Sequence, residues 1–171
     1  KRFDRNLIAI GAGAGGLVST YIGAATKAKV TLIEAHEMGG DCLNYGCVPS
    51  KALIRTAALM RDTRLAQTLG LASAHAEIDF SEVMERVQRV IAEVAPHDSV
   101  ERYTGLGVEV LKGYARITSP WTVEINGQTL STRNIVIAAG AAPTIPDLPG
   151  LDQVVHVTSD TLWSLRGSPR E

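Results

Sequence analysis

The two cysteines of this chain lie close together, in the stretch GGDCLNYGCVPSK at positions 39–51. Cys42 and Cys47 are five positions apart, a separation that on a regular helix would put their α-carbons about 8.5 Å apart. A disulfide requires less than about 7 Å between these atoms. If the two thiols pair, the backbone between them must leave regular helical geometry, and Asn44 and Gly46 are residue types that permit such a turn.

The residues after the second cysteine indicate that a helix begins there. Proline is favoured in the first turn of a helix, so Pro49 predicts that Cys47 lies at a helix N-terminus. The helix dipole at that end favours a thiolate, and Lys51 lies one turn further along the same face. We expect the Cys47 thiolate to pass electrons to an acceptor and Cys42 to meet a substrate.

Two alternative interpretations of the pair are a zinc site and two inert, buried thiols. Zinc in proteins takes about four ligands. The chain has four histidines, none at ligand spacing from the pair: His36, His75, His97 and His156. Inert packing suits cysteine in general. Neither alternative accounts for the glycine pair before the cysteines together with the proline and lysine after them.

A second candidate site lies near the start of the chain, where Gly11, Gly13 and Gly16 form the pattern G-x-G-x-x-G. In dinucleotide-binding βαβ units one such glycine allows a tight turn, one lets backbone N–H groups reach a pyrophosphate, and one permits close helix packing. Glu34 follows 18 residues after Gly16, and its carboxylate would bind an adenosine ribose and disfavour a 2'-phosphate. The motif predicts FAD or NAD without separating them, and the alternative is a small-residue helix start with no ligand.

The segments around the glycine motif alternate between strands and helices. Apolar runs at 6–10 and 29–34 predict buried parallel strands joined by a right-handed crossover helix. A similar run at 134–140 predicts another strand of the same sheet. The pattern therefore favours a doubly wound α/β fold.

Two helices and a set of antiparallel strands are expected between these strands. Apolar spacings of three and four predict one amphipathic helix that ends near Gly70, with Ile54 and Leu65 on its apolar face. They predict a second helix behind cap residues near Asp79. Short alternating runs then follow, with a hairpin at Asn126-Gly127.

Composition narrows the class of protein. The 171 residues are 45% hydrophobic and 20% charged, which suits one globular domain with a sizeable core. A net charge of -1 provides no long-range field toward nucleic acid or an acidic membrane, so we expect small-molecule or protein partners. No apolar run approaches the roughly 20 residues of a membrane span, and the first residues lack a signal-peptide pattern. Two cysteines are too few for a secreted disulfide framework, and we expect a cytoplasmic protein.

The cysteine stretch, the glycine stretch GAGAGG, Glu34 and the later IVIAAG together resemble the class I flavoprotein disulfide reductases, the family of dihydrolipoamide dehydrogenase, glutathione reductase and mercuric reductase. The resemblance runs from about residue 3 to about residue 163. It implies a Rossmann-like FAD/NAD(P)-binding three-layer fold with a parallel sheet, helices and an antiparallel β-meander. It also implies FAD on the glycine turn and NAD(P)H as a co-substrate.

The same resemblance implies roles for individual residues around the flavin. The three motif glycines would cradle the pyrophosphate and Glu34 the adenosine ribose. Cys42 would be the interchange thiol and Cys47 the charge-transfer thiol of a redox-active disulfide, with Lys51 near flavin N5. Further cofactor contacts are implied at Gly40, Asp41, Gly113, Ala115, Ala139 and Gly140. The family's second flavin contact ends in Thr-Gly, and this chain has Ala139-Gly140, so a backbone contact at Gly140 is favoured over a role for the Ala139 side chain.

The implied function is transfer of electrons between NAD(P)H, flavin and the cysteine disulfide, to or from a disulfide, a dithiol or a metal ion. Residues 1–150 would form the FAD-binding domain, and residues 151–171 a connector toward a nicotinamide-binding domain. The chain is thus expected to be a fragment of a longer homodimeric enzyme and inactive alone. The alternatives are an NAD-dependent dehydrogenase with incidental thiols and a non-catalytic flavin-binding or redox-sensing module.

Overall fold

The computed structural model describes residues 2–168, which divide into two compact units. The first unit contains the described residues up to Asn44 and those from Val94 to Ala141, and the second contains the rest. The elements follow in the order β1 (Arg5–Ile10), α1 (Ala14–Ala25), β2 (Val30–Glu34), α2 (Gly40–Asn44), α3 (Cys47–Leu65), α4 (Phe80–Val94), α5 (Val100–Gly105), β3 (Val108–Lys112), β4 (Arg116–Ser119), β5 (Thr122–Ile125) and β6 (Gln128–Ile137).

The first unit is built on a six-stranded sheet with the strand order β3-β2-β1-β6-β5-β4. β1 pairs in parallel with β2 and with β6, and β2 pairs in parallel with β3. The expected βαβ unit is therefore confirmed, with α1 as its crossover. β4, β5 and β6 form an antiparallel meander.

Helices and the meander cover opposite faces of the parallel strands, because neighbouring strand residues point to opposite faces. On one face Ala9 and Leu32 pack with Leu17 of α1 and Tyr103 of α5. On the other face Ile8 and Ile33 pack with inward residues of β5, which are Val123 and Ile125. All five residues of β2 are buried, as a central parallel strand requires. The expected three-layer α/β fold is confirmed.

The last strand begins before the run at 134–140 that predicted it, and it ends at Ile137. β6 is one continuous strand of 10 residues, whose first part pairs with β5 and whose second part pairs with β1. Its partner changes at Thr132, which is fully buried and donates its hydroxyl to the carbonyl of Asn134 at 2.9 Å. The hairpin before it is confirmed, with φ of 49° at Asn126 and 75° at Gly127.

The second unit packs α3 against α4 at Ala52. Ala52 shares a core with Met84 and Val87 of α4 and with Trp163. The apolar face expected for α3 is wrong in part, since Ile54 is 60% and Leu65 is 45% exposed. The face that packs is centred on Ala52, because a small side chain lets the two helices and the indole ring approach closely.

The ends of these helices agree with the sequence signals. After Leu65 the chain continues as a 3-10 turn, Ala66–Leu69, and then reverses at Gly70 with φ of 90°. α4 is capped by Asp79, whose Oδ1 accepts a hydrogen bond from the Glu82 N–H at 3.1 Å. Within residues 2–168, no helix combines the length and apolarity needed to cross a membrane.

Candidate cofactor-binding and redox site

The glycine motif lies where β1 ends and α1 begins, and two of its glycines are required by the protein's own backbone. Gly11 has a φ of 103°, and a β-carbon there would collide with the carbonyl oxygen of Ala138. A β-carbon at Gly16 would collide with the carbonyl oxygen of Gly11 and lie 3.3 Å from Leu32 Cδ1. Gly11 therefore makes the turn, and Gly16 lets α1 pack against it.

Gly13 has no comparable requirement. Its φ of -80° suits any residue, and a β-carbon would meet only the α-carbon of Gly40, at an ordinary contact distance of 3.7 Å. Neither the backbone conformation nor packing within the described chain explains a missing side chain here. The explanation that fits is a ligand that approaches the backbone at the N-terminus of α1, as a pyrophosphate does in this type of motif.

Glu34 holds the glycine turn from the end of β2. Its Oε2 accepts a hydrogen bond from the Ala12 N–H at 2.5 Å, and its Oε1 accepts one from the His36 N–H at 2.7 Å. The residue is only 8% exposed. A carboxylate offers about four lone-pair sites, so two remain for ligand hydroxyls. The arrangement fits the expected role in binding a ribose.

A second glycine pair, Gly39 and Gly40, packs against the same turn. The Gly39 N–H donates to the carbonyl of Ala12 at 2.9 Å. A β-carbon at Gly40 would lie 2.6 Å from the α-carbon of Gly13, so only glycine allows the two segments to approach this closely. α2 starts at Gly40 and carries Asp41 and Cys42, both exposed, in its first turn.

The segment after β3 is joined to the same sheet edge. The Gly113 N–H donates to the carbonyl of Glu34 at 2.8 Å, and its φ is 143°. Asn126 from the hairpin donates from Nδ2 to the Lys112 carbonyl at 2.9 Å, and its Oδ1 occupies the space that a side chain at Gly113 would need. Ala115 is partly buried against the meander core.

The end of β6 borders the glycine turn directly. The Ala138 N–H donates to the carbonyl of Ile10 at 2.8 Å, next to Gly11. Ala139 and Gly140 follow and are exposed, and Gly140 has a φ of 72°. The cofactor residues expected in the first unit are thus brought to one edge of the sheet, where the parallel strands end.

Cys47 begins α3, as the sequence predicted, and belongs to the second unit. Gly46 is the N-cap residue, and Pro49 is buried in the first turn. The break in helical geometry lies at Tyr45 and Gly46, since α2 continues through Asn44. A pairing of the two thiols was expected to need non-helical or distorted backbone from Asp41 to Gly46, but residues 41–44 are helical and Asn44 lies in α2. Cys47 and Lys51 are both exposed at the start of α3.

Several residues near the glycine turn were given no role there from the sequence. Ala12 uses both its N–H and its carbonyl to join the turn to Glu34 and to the second glycine pair. His36 and Tyr114 meet edge to face, with 3.0 Å between the Tyr114 hydroxyl and His36 Nε2, and the Lys112 ammonium donates to the His36 carbonyl. The only sequence signal for the role of Ala12 was its position inside the glycine motif.

In the described part of the chain, no three His, Cys, Asp or Glu residues form a group that could hold a metal ion.

The fold and this edge define a dinucleotide-binding α/β protein, and comparison with known proteins narrows the class. A family model described as pyridine nucleotide-disulphide oxidoreductase matches residues 5–170. The chain belongs to this family, whose members depend on FAD and NAD(P)H. The resemblance drawn from the motifs is confirmed.

Individual relatives cover nearly all of the chain. A mercuric reductase of Bacillus cereus is 32% identical over 167 residues, which are 98% of this chain and 26% of the relative. A dihydrolipoyl dehydrogenase of Acholeplasma laidlawii is 30% identical, with coverage of 98% and 51%. A glutathione reductase of Burkholderia cepacia is 33% identical, with coverage of 99% and 37%. The chain therefore spans between about a quarter and about half of the length of these relatives.

Proposed function

We propose that this chain is the FAD-binding and disulfide-bearing part of an NAD(P)H-dependent disulfide oxidoreductase. The observation that carries the proposal is Gly13, a glycine with no conformational or packing requirement, at a helix N-terminus beside a buried acid. FAD, when bound, supplies the two-electron carrier between the nicotinamide and the sulfurs. Residues 1–150 would bind it, and residues 151–171 would lead toward a nicotinamide-binding domain.

The residues of the first unit would bind and orient the cofactor. Backbone N–H groups at the start of α1 would hold the pyrophosphate, assisted by the partial positive charge of the helix end. Glu34 would hold the adenosine ribose. Gly113 and Ala115 would contact the adenine. The rest of the FAD site would be lined by Gly40, Asp41 and the backbone of Ala139-Gly140. Lys51, with its ammonium group, would lie near flavin N5.

The redox pair would be Cys42 and Cys47, in a disulfide that opens on two-electron reduction. The Cys42 thiolate would attack one sulfur of a disulfide substrate, form a mixed disulfide and release one thiolate, which takes a proton from solvent. The Cys47 thiolate would then attack the Cys42 sulfur, restore the internal disulfide and release the second thiolate. A dithiol substrate would run these exchanges in reverse.

The physiological substrate belongs to the class of disulfides, dithiols or metal ions. The motif GGDCLNYGCVPSKALIR is nearer to those of the lipoamide dehydrogenases and mercuric reductases than to that of glutathione reductase. Relatives named as mercuric reductase, dihydrolipoyl dehydrogenase and glutathione reductase all match the chain over nearly its whole length, so the preference rests on the motif alone. We further propose a cytoplasmic homodimer for the complete protein.

The decisive experiment is the visible spectrum of the full-length protein before and after two-electron reduction. We expect flavin absorbance and, after reduction, a long-wavelength band from a thiolate beside the flavin. The band should be lost in Cys47→Ser and kept in Cys42→Ser. A colourless protein would instead support an NAD-dependent dehydrogenase with incidental thiols. Bound flavin without reductase activity would support a redox-sensing module.

A further inference from the structure

Trp163 lies far along the chain from the cysteines but contacts the turn that precedes Cys47. Its indole N–H donates to the carbonyl of Tyr45 at 2.8 Å, across 118 positions of sequence. Tyr45 immediately precedes Gly46, the N-cap residue of α3. The hydrogen bond therefore fixes the peptide group between Tyr45 and Gly46, just before Cys47.

The indole ring also supports the body of α3. Trp163 is 8% exposed and shares a core with Ala52, which lies in the second turn of α3, and with Met84 and Val87 of α4. Tyr45 packs against the same core. One side chain thus contacts both the turn before α3 and the helix that follows it.

Trp163 is in turn anchored to α4 by polar contacts of its own backbone. Its carbonyl accepts a hydrogen bond from Gln88 Nε2 at 3.1 Å and another from Arg166 Nη1 at 3.3 Å. Arg166 also pairs with Glu85 of α4, with 2.6 Å between Nε and Oε1. The segment that carries the indole is therefore held in place independently of the Tyr45 contact.

We propose that Trp163 is a positioning residue for the Cys47 thiolate, an inference that rests on the redox role proposed above for Cys47. The first turn of α3 includes Pro49, which has no N–H, so the field of the helix end at the sulfur depends on how the few remaining backbone groups of that turn are held. The indole fixes that geometry from both sides, through the Tyr45 peptide and through Ala52. Loss of the indole N–H lets the Tyr45-Gly46 peptide rotate and weakens the stabilisation of the thiolate.

The test is the alkylation of Cys47 by iodoacetamide as a function of pH, in the full-length protein with Cys42→Ser and with the Cys47 peptide quantified by mass spectrometry. Trp163→Phe keeps a ring in the core and removes the N–H donor. We expect Cys47 alkylation near neutral pH to slow by about two- to fivefold, with the midpoint of the rate profile moved to higher pH. The matched control is Trp121→Phe, which alters an indole in the first unit that packs on Phe3 and is 45% exposed. It should leave the profile unchanged.

A lower unfolding temperature for Trp163→Phe with an unchanged pH profile would show a structural role only and would overturn the proposal. If Trp163→Phe does not fold, the double variant Gln88→Met/Arg166→Met decides, because it removes both side-chain contacts to the Trp163 carbonyl and keeps the indole. A smaller shift in the same direction supports positioning, and an unchanged profile refutes it. Alkylation needs neither flavin nor turnover. A shifted profile in a protein without flavin absorbance would therefore contradict the proposed function and leave the positioning role intact.

Discussion

The three glycines of the turn should separate into one that serves binding and two that serve folding, and alanine substitution tests this directly. Gly13→Ala and Gly16→Ala add the same methyl group, three residues apart. The added β-carbon at Gly13 meets only Gly40, at 3.7 Å, whereas the one at Gly16 overlaps the carbonyl oxygen of Gly11. The first variant should keep its fold and lose FAD, and the second should lose stability.

The expected magnitudes follow from these contacts. At Gly13, an N-cap position, alanine costs up to about 1 kcal/mol. The reduced freedom of the unfolded chain returns about 0.4–1 kcal/mol. The net change in the free energy of unfolding should therefore lie between a gain of about 1 kcal/mol and a loss of about 0.6 kcal/mol. At Gly16 the overlap is with backbone, which must shift as a unit, at about 1–3 kcal/mol for overpacking.

Thermal unfolding is measured on the apoproteins of the full-length variants, so that bound cofactor does not contribute to stability. FAD affinity is measured separately by titration of flavin fluorescence. Gly13→Ala should bind FAD at least about tenfold more weakly, because the methyl group occupies the space of the pyrophosphate. Wild-type affinity in Gly13→Ala would refute the placement of the pyrophosphate. Equal destabilisation of the two variants would refute the packing argument.

Three further changes test the contacts around the site, each by the free energy of unfolding of the apoprotein. Glu34→Gln replaces one of the two acceptor oxygens by a donor, so we expect a loss of about 1–3 kcal/mol and weaker FAD binding; unchanged stability would show that the backbone bond lost with that oxygen contributes nothing. Burial raises the pKa of Glu109, but hydrogen bonds from Thr31 and Arg5 outweigh this, and the pKa lies below its ordinary value of 4.5. Ionised Glu109 therefore contributes its full stability above pH 4.5, and this contribution is lost as the pH falls through the lower pKa of the folded state. The difference in the free energy of unfolding between wild type and Glu109→Gln should shrink in acid, and a difference that grows in acid would contradict the assignment. Asn126→Ala loses a hydrogen bond and a residue tolerant of positive φ, and should cost about 1–2 kcal/mol, whereas Asn126→Gly should cost less; the reverse order would contradict the role of the turn conformation.

Much of the fold and part of the site follow from local sequence rules. β1, α1 and β2 were predictable because apolar runs, a glycine turn and small residues each constrain a few neighbouring positions. The hairpin at Asn126-Gly127 was predictable because both positions need positive φ. Pro49 predicted the start of α3 because proline is favoured in the first turn of a helix.

The rest depended on contacts between distant segments. Their spacing predicted that Ile54 and Leu65 face the core. The face of α3 that packs instead depends on its contacts with α4 and with the indole ring of Trp163. The change of partner along β6 could not be seen locally, because one continuous strand pairs first with β5 and then with β1.

By itself the sequence determined which residue types meet at the turn, since a motif specifies spacing, backbone freedom and charge. The tertiary structure alone decided what each of them does. Gly16 is needed because α1 folds back onto Gly11, and Gly13 stands out as the glycine that internal packing leaves unexplained. The contact between Trp163 and the turn before Cys47 likewise joins residues 118 positions apart. Such roles depend on distances through space, which sequence spacing does not encode.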